Sequence, residues 1–273
     1  MRQDATAMTR VALGLSYAGT RYLGWQSQAG GNTVQDKLEE ALRQFSGLAL
    51  GERVITNCTG RTDSGVHALM QVVHFDTPFD REPFSWMRGV NRFLPDDIAV
   101  QWAQVVPQEF HCRAQALSRR YAYIVLQSAM RPSVEQGRVG WQHLPLSLQV
   151  MQEAAKLLIG EHDFSSFRAS QCQALSPVKK LMRLDISQRG AYFRFDFEAN
   201  AFLHHMIRNM MGCLLAIGRG DQPVEWASEV LVAKKREFSA PTFSPDGLYF
   251  LGPTYSPEWG LPERTVAFDG LPL

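Results

Sequence analysis

An α/β fold of the α+β kind, built as two similar domains, is predicted for this chain by three observations. Strand-like and helix-like patterns alternate along it, that alternation starts afresh near Leu117, and 273 residues exceed what one ordinary core comfortably takes in. The expected domains are 1–117 and 118–273, each a mixed or antiparallel sheet with helices, with an active-site cleft between them. Hydrophobic residues make up 45% and charged residues 20% of the chain, a globular composition rather than that of disorder.

The elements follow in order. Val11, Leu13, Leu15 and Tyr17 alternate with smaller or polar residues, a strand that ends in the turn-prone Ala18-Gly19-Thr20. Thr33 with Asp36 three residues on reads as a capping box, and Val34, Leu38, Ala41, Leu42 and Phe45 then recur at helical spacing. A polar stretch from Thr56 to Gly65 precedes a strand over Met70 to Asp76, a helix over Pro83 to Phe93 and a strand over Ile98 to Val106. The second half supplies a strand over Arg120 to Gln127, an amphipathic helix over Leu146 to Leu158, and a hairpin turning at Arg189-Gly190. A helix from Phe202 to Ile217 is stopped by Gly218, another is opened by Asp221 and Pro223 and runs to Lys235, and Leu248 to Leu251 is a last strand. The proline- and glycine-rich tail from Pro257 is expected to be irregular.

Several classes of protein are disfavoured by composition. The longest apolar stretch, Met206 to Ile217, contains Arg208 and Asn209 and falls short of the roughly 20 residues a membrane span needs. The opening MRQDATAMTR has no apolar run of the kind a secretory signal requires, so a cytoplasmic protein without membrane attachment is expected. Cys58, Cys112, Cys172 and Cys213 form no C-x-x-C pair and no zinc-like spacing, which argues against disulfides and structural metal. A net charge of +1 decides little, because nucleic-acid binding needs a local stripe of cations rather than a global excess.

The stretch richest in chemistry is GRTDSGVHA, Gly60 to Ala68. It sets a carboxylate beside an arginine between two glycines, just before a strand. Glycine lets a backbone turn tightly and lets a substrate approach, and loops carried on a rigid sheet are where catalysis tends to reside. Spacing alone leaves two readings of Asp63 open: a catalytic carboxylate, or an Asx-turn residue that holds its own loop.

At this stretch the chain resembles the tRNA pseudouridine synthase A family, whose G-R-T-D-x-G-V-H-A segment carries an aspartate nucleophile. Ser64 stands where alanine is common. Six further blocks agree in order: SYAGTRYLGWQSQ, NRFLPDDIAV, FHCRAQALSRRYAYIV, GEHDFSSF, ANAFLHHMIRNMMG and DGLYFLGPTY. The last departs from the family pattern at Leu251-Gly252-Pro253, where an apolar strand usually continues. The resemblance implies isomerisation of uridine to pseudouridine at positions 38 to 40 of the tRNA anticodon stem-loop, with base flipping, no cofactor and a homodimeric enzyme. Asp63 would be the nucleophile, adding at C6 of the base or acting at C1′ of the ribose, with both routes open.

Further roles are implied by the same resemblance. Arg208 would stabilise the ionised carboxylate, since desolvation favours the neutral acid and a guanidinium favours the anion. Arg61 would fill the space left by the flipped base or steady its phosphate. Tyr121 would lie against the uracil and move a proton at C5, and Leu248 would close the other face. Read without the family, Tyr121 and Leu248 are ordinary core residues of strands. Phosphate neutralisation would fall to Arg113, Arg119 and Arg120, with Lys179, Lys180, Arg183, Lys234, Lys235 and Arg236 as further cations. A metal-dependent hydrolase using Asp63, His67 and the His204-His205 pair is a rival reading; it is disfavoured because adjacent residues do not share a helix face. A tRNA-binding protein without turnover is the other rival.

Overall fold

The computed structural model describes residues 8–262, which form two compact units. The first is residues 8–117 with 250–262, the second residues 118–249, so the chain returns to its first unit at Phe250.

The first unit is organised around β1 (Thr9–Tyr17), which pairs antiparallel with both β3 (His67–Thr77) and β4 (Ile98–Val106). A short β2 (Asn57–Cys58) also pairs with β3, and β10 (Leu248–Thr254) lies on the far side of β3 from β1. Between β1 and β2 runs α1 (Val34–Ser46), which starts at the predicted capping box: the Thr33 hydroxyl accepts from Asp36 N, and Asp36 accepts from Thr33 N. It stops where Gly47 takes φ 71°, a left-handed conformation that costs glycine little. Helix α2 (Pro83–Asn91) delivers the fully buried Trp86 to rings from two other elements. Phe45 of α1 stands 5.3 Å away and Phe75 of β3 5.2 Å away, both edge-on. Such pairs add about 0.5–1.5 kcal/mol each beyond the area they bury.

One expectation changes here. Strand β10 continues to Thr254 through Leu251-Gly252-Pro253 instead of ending at Leu251. Gly252 makes this possible: its φ is +128°, and a Cβ there would stand 2.9 Å from the Met70 carbonyl oxygen. Within the described part of the tail, Pro257–Trp259 forms a single 3-10 turn that seats Trp259 5.2 Å from the buried Phe110 ring, and the tail from residue 263 onward lies outside the described residues.

The second unit carries the strand order β5-β9-β8-β7, all antiparallel: β5 (Ser118–Gln127), β9 (Tyr192–Ala199), β8 (Val178–Arg189) and β7 (Gly160–Asp163). A short β6 (Gly140–Gln142) joins β5 in parallel, so this sheet is mixed. The β8-β9 hairpin turns at Gly190, with φ 58°, and Ala191. Helix α3 (Leu148–Lys156) is capped by Ser147 and packs on β8 and on the largely buried, apolar α4 (Met206–Gly218). Two glycines let α4 sit close to its neighbours. A Cβ on Gly218 would meet the Met151 sulfur at 2.6 Å, and one on Gly212 would meet the Pro241 carbonyl oxygen at 2.3 Å.

Helix α4 begins at Met206 rather than Phe202, because His205 adopts φ +63°, which a right-handed helix cannot include. His204 and His205 therefore precede the helix, with ring centroids 4.0 Å apart, and the helix-face argument against pairing them does not apply. The last helix, α5 (Trp226–Ala233), is shorter at both ends than its sequence limits and stops at Lys234, φ 53°.

Strand β3 buries His74 to 2% exposure. Desolvation first, then the nearby Arg10 and His111 charges, lower its pKa from 6.5 to about 4. Between these values the unfolded chain holds a proton that the folded chain rejects, so stability rises with pH across this window and is lost as pH falls through it. Melting temperatures measured from pH 7 to pH 4 should fall, and His74→Asn should flatten the decline between pH 6.5 and pH 5.

Candidate active site

The segment from Gly60 to Val66 leaves β2, crosses the sheet end and enters β3. Its turn is closed by Val66 N donating to the Asp63 carbonyl at 3.1 Å, with Gly65 at φ +83° where a turn of this shape calls for glycine. Asp63 is half-buried and Arg61 exposed, while Thr62 between them is buried.

Three sets of contacts hold this turn in place. Behind it, the Gln71 amide of β3 donates to Gly60 O at 2.5 Å and accepts from Gly60 N at 3.4 Å, and the Thr62 hydroxyl bonds the Tyr17 hydroxyl of β1 at 2.8 Å. Beside it runs the segment 18–25, where Trp25 N donates to Thr62 O at 3.0 Å and the Ser64 hydroxyl donates to Tyr22 O at 3.1 Å. At its two ends, Gly19 N donates to His67 Nδ1 at 3.1 Å, and the Thr59 hydroxyl reaches Val72 O, Cys112 O and the Tyr255 hydroxyl. Ser64, where alanine is common, thus adds one more tie between the turn and its neighbour.

The Tyr17, Thr62 and Gln71 braces were not legible as site residues in the sequence. The one signal was Gln71, a fully buried amide in the otherwise apolar run LMQVVHF. Tyr17 gives no signal of its own, because a tyrosine ending a strand is ordinary.

A family model described as tRNA pseudouridine synthase matches residues 15–113 and 154–256. Curated relatives named tRNA pseudouridine synthase A match as well. The one from Albidiferax ferrireducens is 65% identical over 96% of this chain and 100% of its own length, and that from Polaromonas naphthalenivorans is 65% identical over the same shares. A third, from Variovorax paradoxus, is 63% identical over 96% of this chain and 98% of its own length. This chain belongs to the tRNA pseudouridine synthase family.

Other residues that the family resemblance singles out lie partly in each unit. In the first unit, the exposed Arg113 turns its guanidinium back to the Cys58 carbonyl at 3.2 Å. In the second unit, Tyr121 is 8% exposed on β5, opposite Phe197, with the Phe202 ring edge-on at 5.2 Å. Arg119 donates to Asn200 O at 2.7 Å, and Arg120 has a buried Nε with no hydrogen-bond partner among the described residues. Arg208 is held by reciprocal bonds to one residue: its Nε donates to Phe243 O at 2.9 Å, and Phe243 N donates to Arg208 O at 3.1 Å. Leu248 is buried at the start of β10, its N–H closing a turn on Pro245 O. Of the further cations, Arg183 pairs with Asp185 and Lys179 donates to Ser176 O and Val178 O, so both are engaged locally.

His74, His111 and Cys112 gather potential ligand atoms within 4.8 Å in the first unit. Their hydrogen bonds fit poorly with a metal. Both Nδ1 atoms already accept backbone N–H groups, whereas a ring bound to metal through Nε2 carries its proton on Nδ1. The Cys112 thiol donates to Asn57 O, and burial pushes it up to about 12, away from the thiolate a metal would need. His67 is likewise engaged, its Nδ1 accepting from Gly19 N.

The 18–25 segment lies against the turn so closely that a Cβ on Gly19 would stand 1.9 Å from Val66 O, whereas one on Gly30 would meet nothing within 4 Å. Gly19→Ala should cost about 1–3 kcal/mol through overpacking against backbone. Thermal melts should show a clear loss for Gly19→Ala and none for Gly30→Ala, which serves as the control.

Proposed function

We propose that this chain isomerises uridine to pseudouridine in tRNA, with Asp63 as the nucleophile. What carries this reading is the GRTDSGVHA turn, fastened at several points to buried residues so that a half-buried carboxylate stands on a rigid base, together with the near full-length match to tRNA pseudouridine synthases.

In the reaction the N-glycosidic bond breaks, the uracil turns, and C5 forms a bond to C1′ while the C5 hydrogen leaves as a proton and the freed N1 takes one up. Atoms and electrons balance without an oxidant, a reductant or a transferred group. The ionised Asp63 carboxylate supplies the nucleophile, at C6 or at C1′. A uridine stacked in a stem must first leave the stack, at a cost of a few kcal/mol. The exposed Arg61, two residues before Asp63, is suited to the vacated space or the displaced phosphate. Tyr121, Arg208 and Leu248 are read as the second unit's contribution to handling the uridine: ring contact and proton movement at C5, support of the anion, and an apolar wall. Arg113, Arg119 and Arg120 are read as cations for the RNA backbone.

The finer parts of this reading rest on the family resemblance. They are action at positions 38 to 40 of the anticodon stem-loop, a homodimeric assembly, and a cytoplasmic setting.

Release of tritium from tRNA labelled at uridine C5 tests the proposal, because the new bond at C5 must expel that hydrogen. The native chain should release it without added metal or nucleotide, and Asp63→Ala should fall to background. Tight tRNA binding with no release from any tRNA would leave an RNA-binding protein; equal release by both chains would reassign the nucleophile.

A further inference from the structure

We infer that Tyr17, Thr62 and Gln71 form a positioning device for Asp63, a buried polar triad that fixes which way successive residues of the turn point. This rests on the reading of Asp63 as nucleophile. The three side chains are 4%, 6% and 0% exposed, so none of them can meet a substrate directly.

The device works on alternate residues. Gly60 is bound through both its N–H and its carbonyl by the Gln71 amide, and Thr62 is bound at its side chain by Tyr17 and at its carbonyl by Trp25 N. With Gly60 held through its backbone and the Thr62 side chain held inward, Arg61 on one side of Thr62 is exposed and Asp63 on the other is half-buried.

A local irregularity in the sheet puts Tyr17 within reach. Leu15 pairs with Gln71, so an unbroken register would set Tyr17 against Leu69, yet it pairs with Ala68. The extra residue is a bulge in β3, a device that re-aims side chains beside functional sites. It leaves the Tyr17 hydroxyl bonded to the Thr62 hydroxyl, with Gln71 of β3 bracing the adjoining Gly60. Each polar group costs free energy to desolvate and is retained only with its partners in place.

The energetic lever is geometric. A misplacement of about 1 Å in a reacting group can lower a rate by about 100-fold while binding is untouched. The variants Tyr17→Phe, Thr62→Val and Thr62→Ser, with Asp63→Ala as reference, are to be compared by single-turnover tritium release, tRNA Kd and melting temperature. Tyr17→Phe and Thr62→Val should slow the single-turnover rate by about 10- to 100-fold with Kd changed less than about twofold. Thr62→Ser keeps the hydroxyl and should recover to within about threefold of the native rate. The double variant Tyr17→Phe/Thr62→Val should be no slower than the worse single, because both remove the same bond.

A native rate in folded Tyr17→Phe and Thr62→Val, alongside an inactive Asp63→Ala, would overturn the positioning role and leave the nucleophile in place. Equal loss in Thr62→Ser and Thr62→Val would also overturn it. Activity retained by Asp63→Ala would instead remove the reading on which it rests. Should Thr62→Val not fold, Tyr17→Phe and Thr62→Ser decide the matter alone.

Discussion

The tie between the Gly60–Val66 turn and the buried ends of β1 and β3 is the constraint on which the placement of Asp63 depends. A turn that presents a carboxylate must be open to a substrate on one side, and an open turn is mobile unless its other side is fixed. Here the fixing is done by side-chain and backbone hydrogen bonds from Tyr17, Gln71, Trp25 and Ser64, reinforced at the ends by His67 and Thr59. Glycines at 19 and 24 let the neighbouring segment lie against it; at Gly24 φ is +92° and a Cβ would stand 2.7 Å from Thr62 O. The same packing that makes the turn rigid leaves little room for change around it.

Strand β3 concentrates the cost of this arrangement. Its residues include Gln71 and His74, polar and almost wholly buried among valine, methionine and phenylalanine. Each is tolerated because it is hydrogen-bonded, Gln71 to Gly60 and His74 to Cys112 N. Burying them without those partners would cost on the order of 1–3 kcal/mol apiece. These two buried polar side chains therefore serve the loops at the strand's margins, whereas the exposed Asp76 pairs with Arg10 across the sheet.

The second unit solves a related problem with a helix. Arg208 lies in the apolar α4, where a guanidinium would be out of place without fixed partners, and the segment 240–244 supplies one through Phe243. Asn209 next to it is fully buried and bridges Phe167 O and the Thr242 hydroxyl, so the same segment is tied to α4 twice in succession. The absence of a side chain at Gly212 allows the close approach to Pro241 that these bonds need. Helix and segment are in this way joined at the neighbouring residues Thr242 and Phe243, shortly before Leu248 and β10.

Much of this was written locally in the sequence. The capping box of α1, the strands at Val11 and Ile98 and the Gly190 turn depend on neighbouring residues, whose periodicity and backbone preferences are visible in the chain itself. The motif around Asp63 was equally legible, and it was enough to place the chain in its family. What the sequence did not hold was anything set by distant partners. The return of the chain to its first unit at Phe250, the persistence of β10 through Gly252-Pro253, the left-handed His205 that delays α4, and the bulge that swings Tyr17 behind Thr62 all arise from residues far apart in sequence. Local pattern therefore determined which elements form and which motif marks the family. Only tertiary packing decided how Asp63 is held, because that depends on hydrogen bonds between segments that no local pattern encodes.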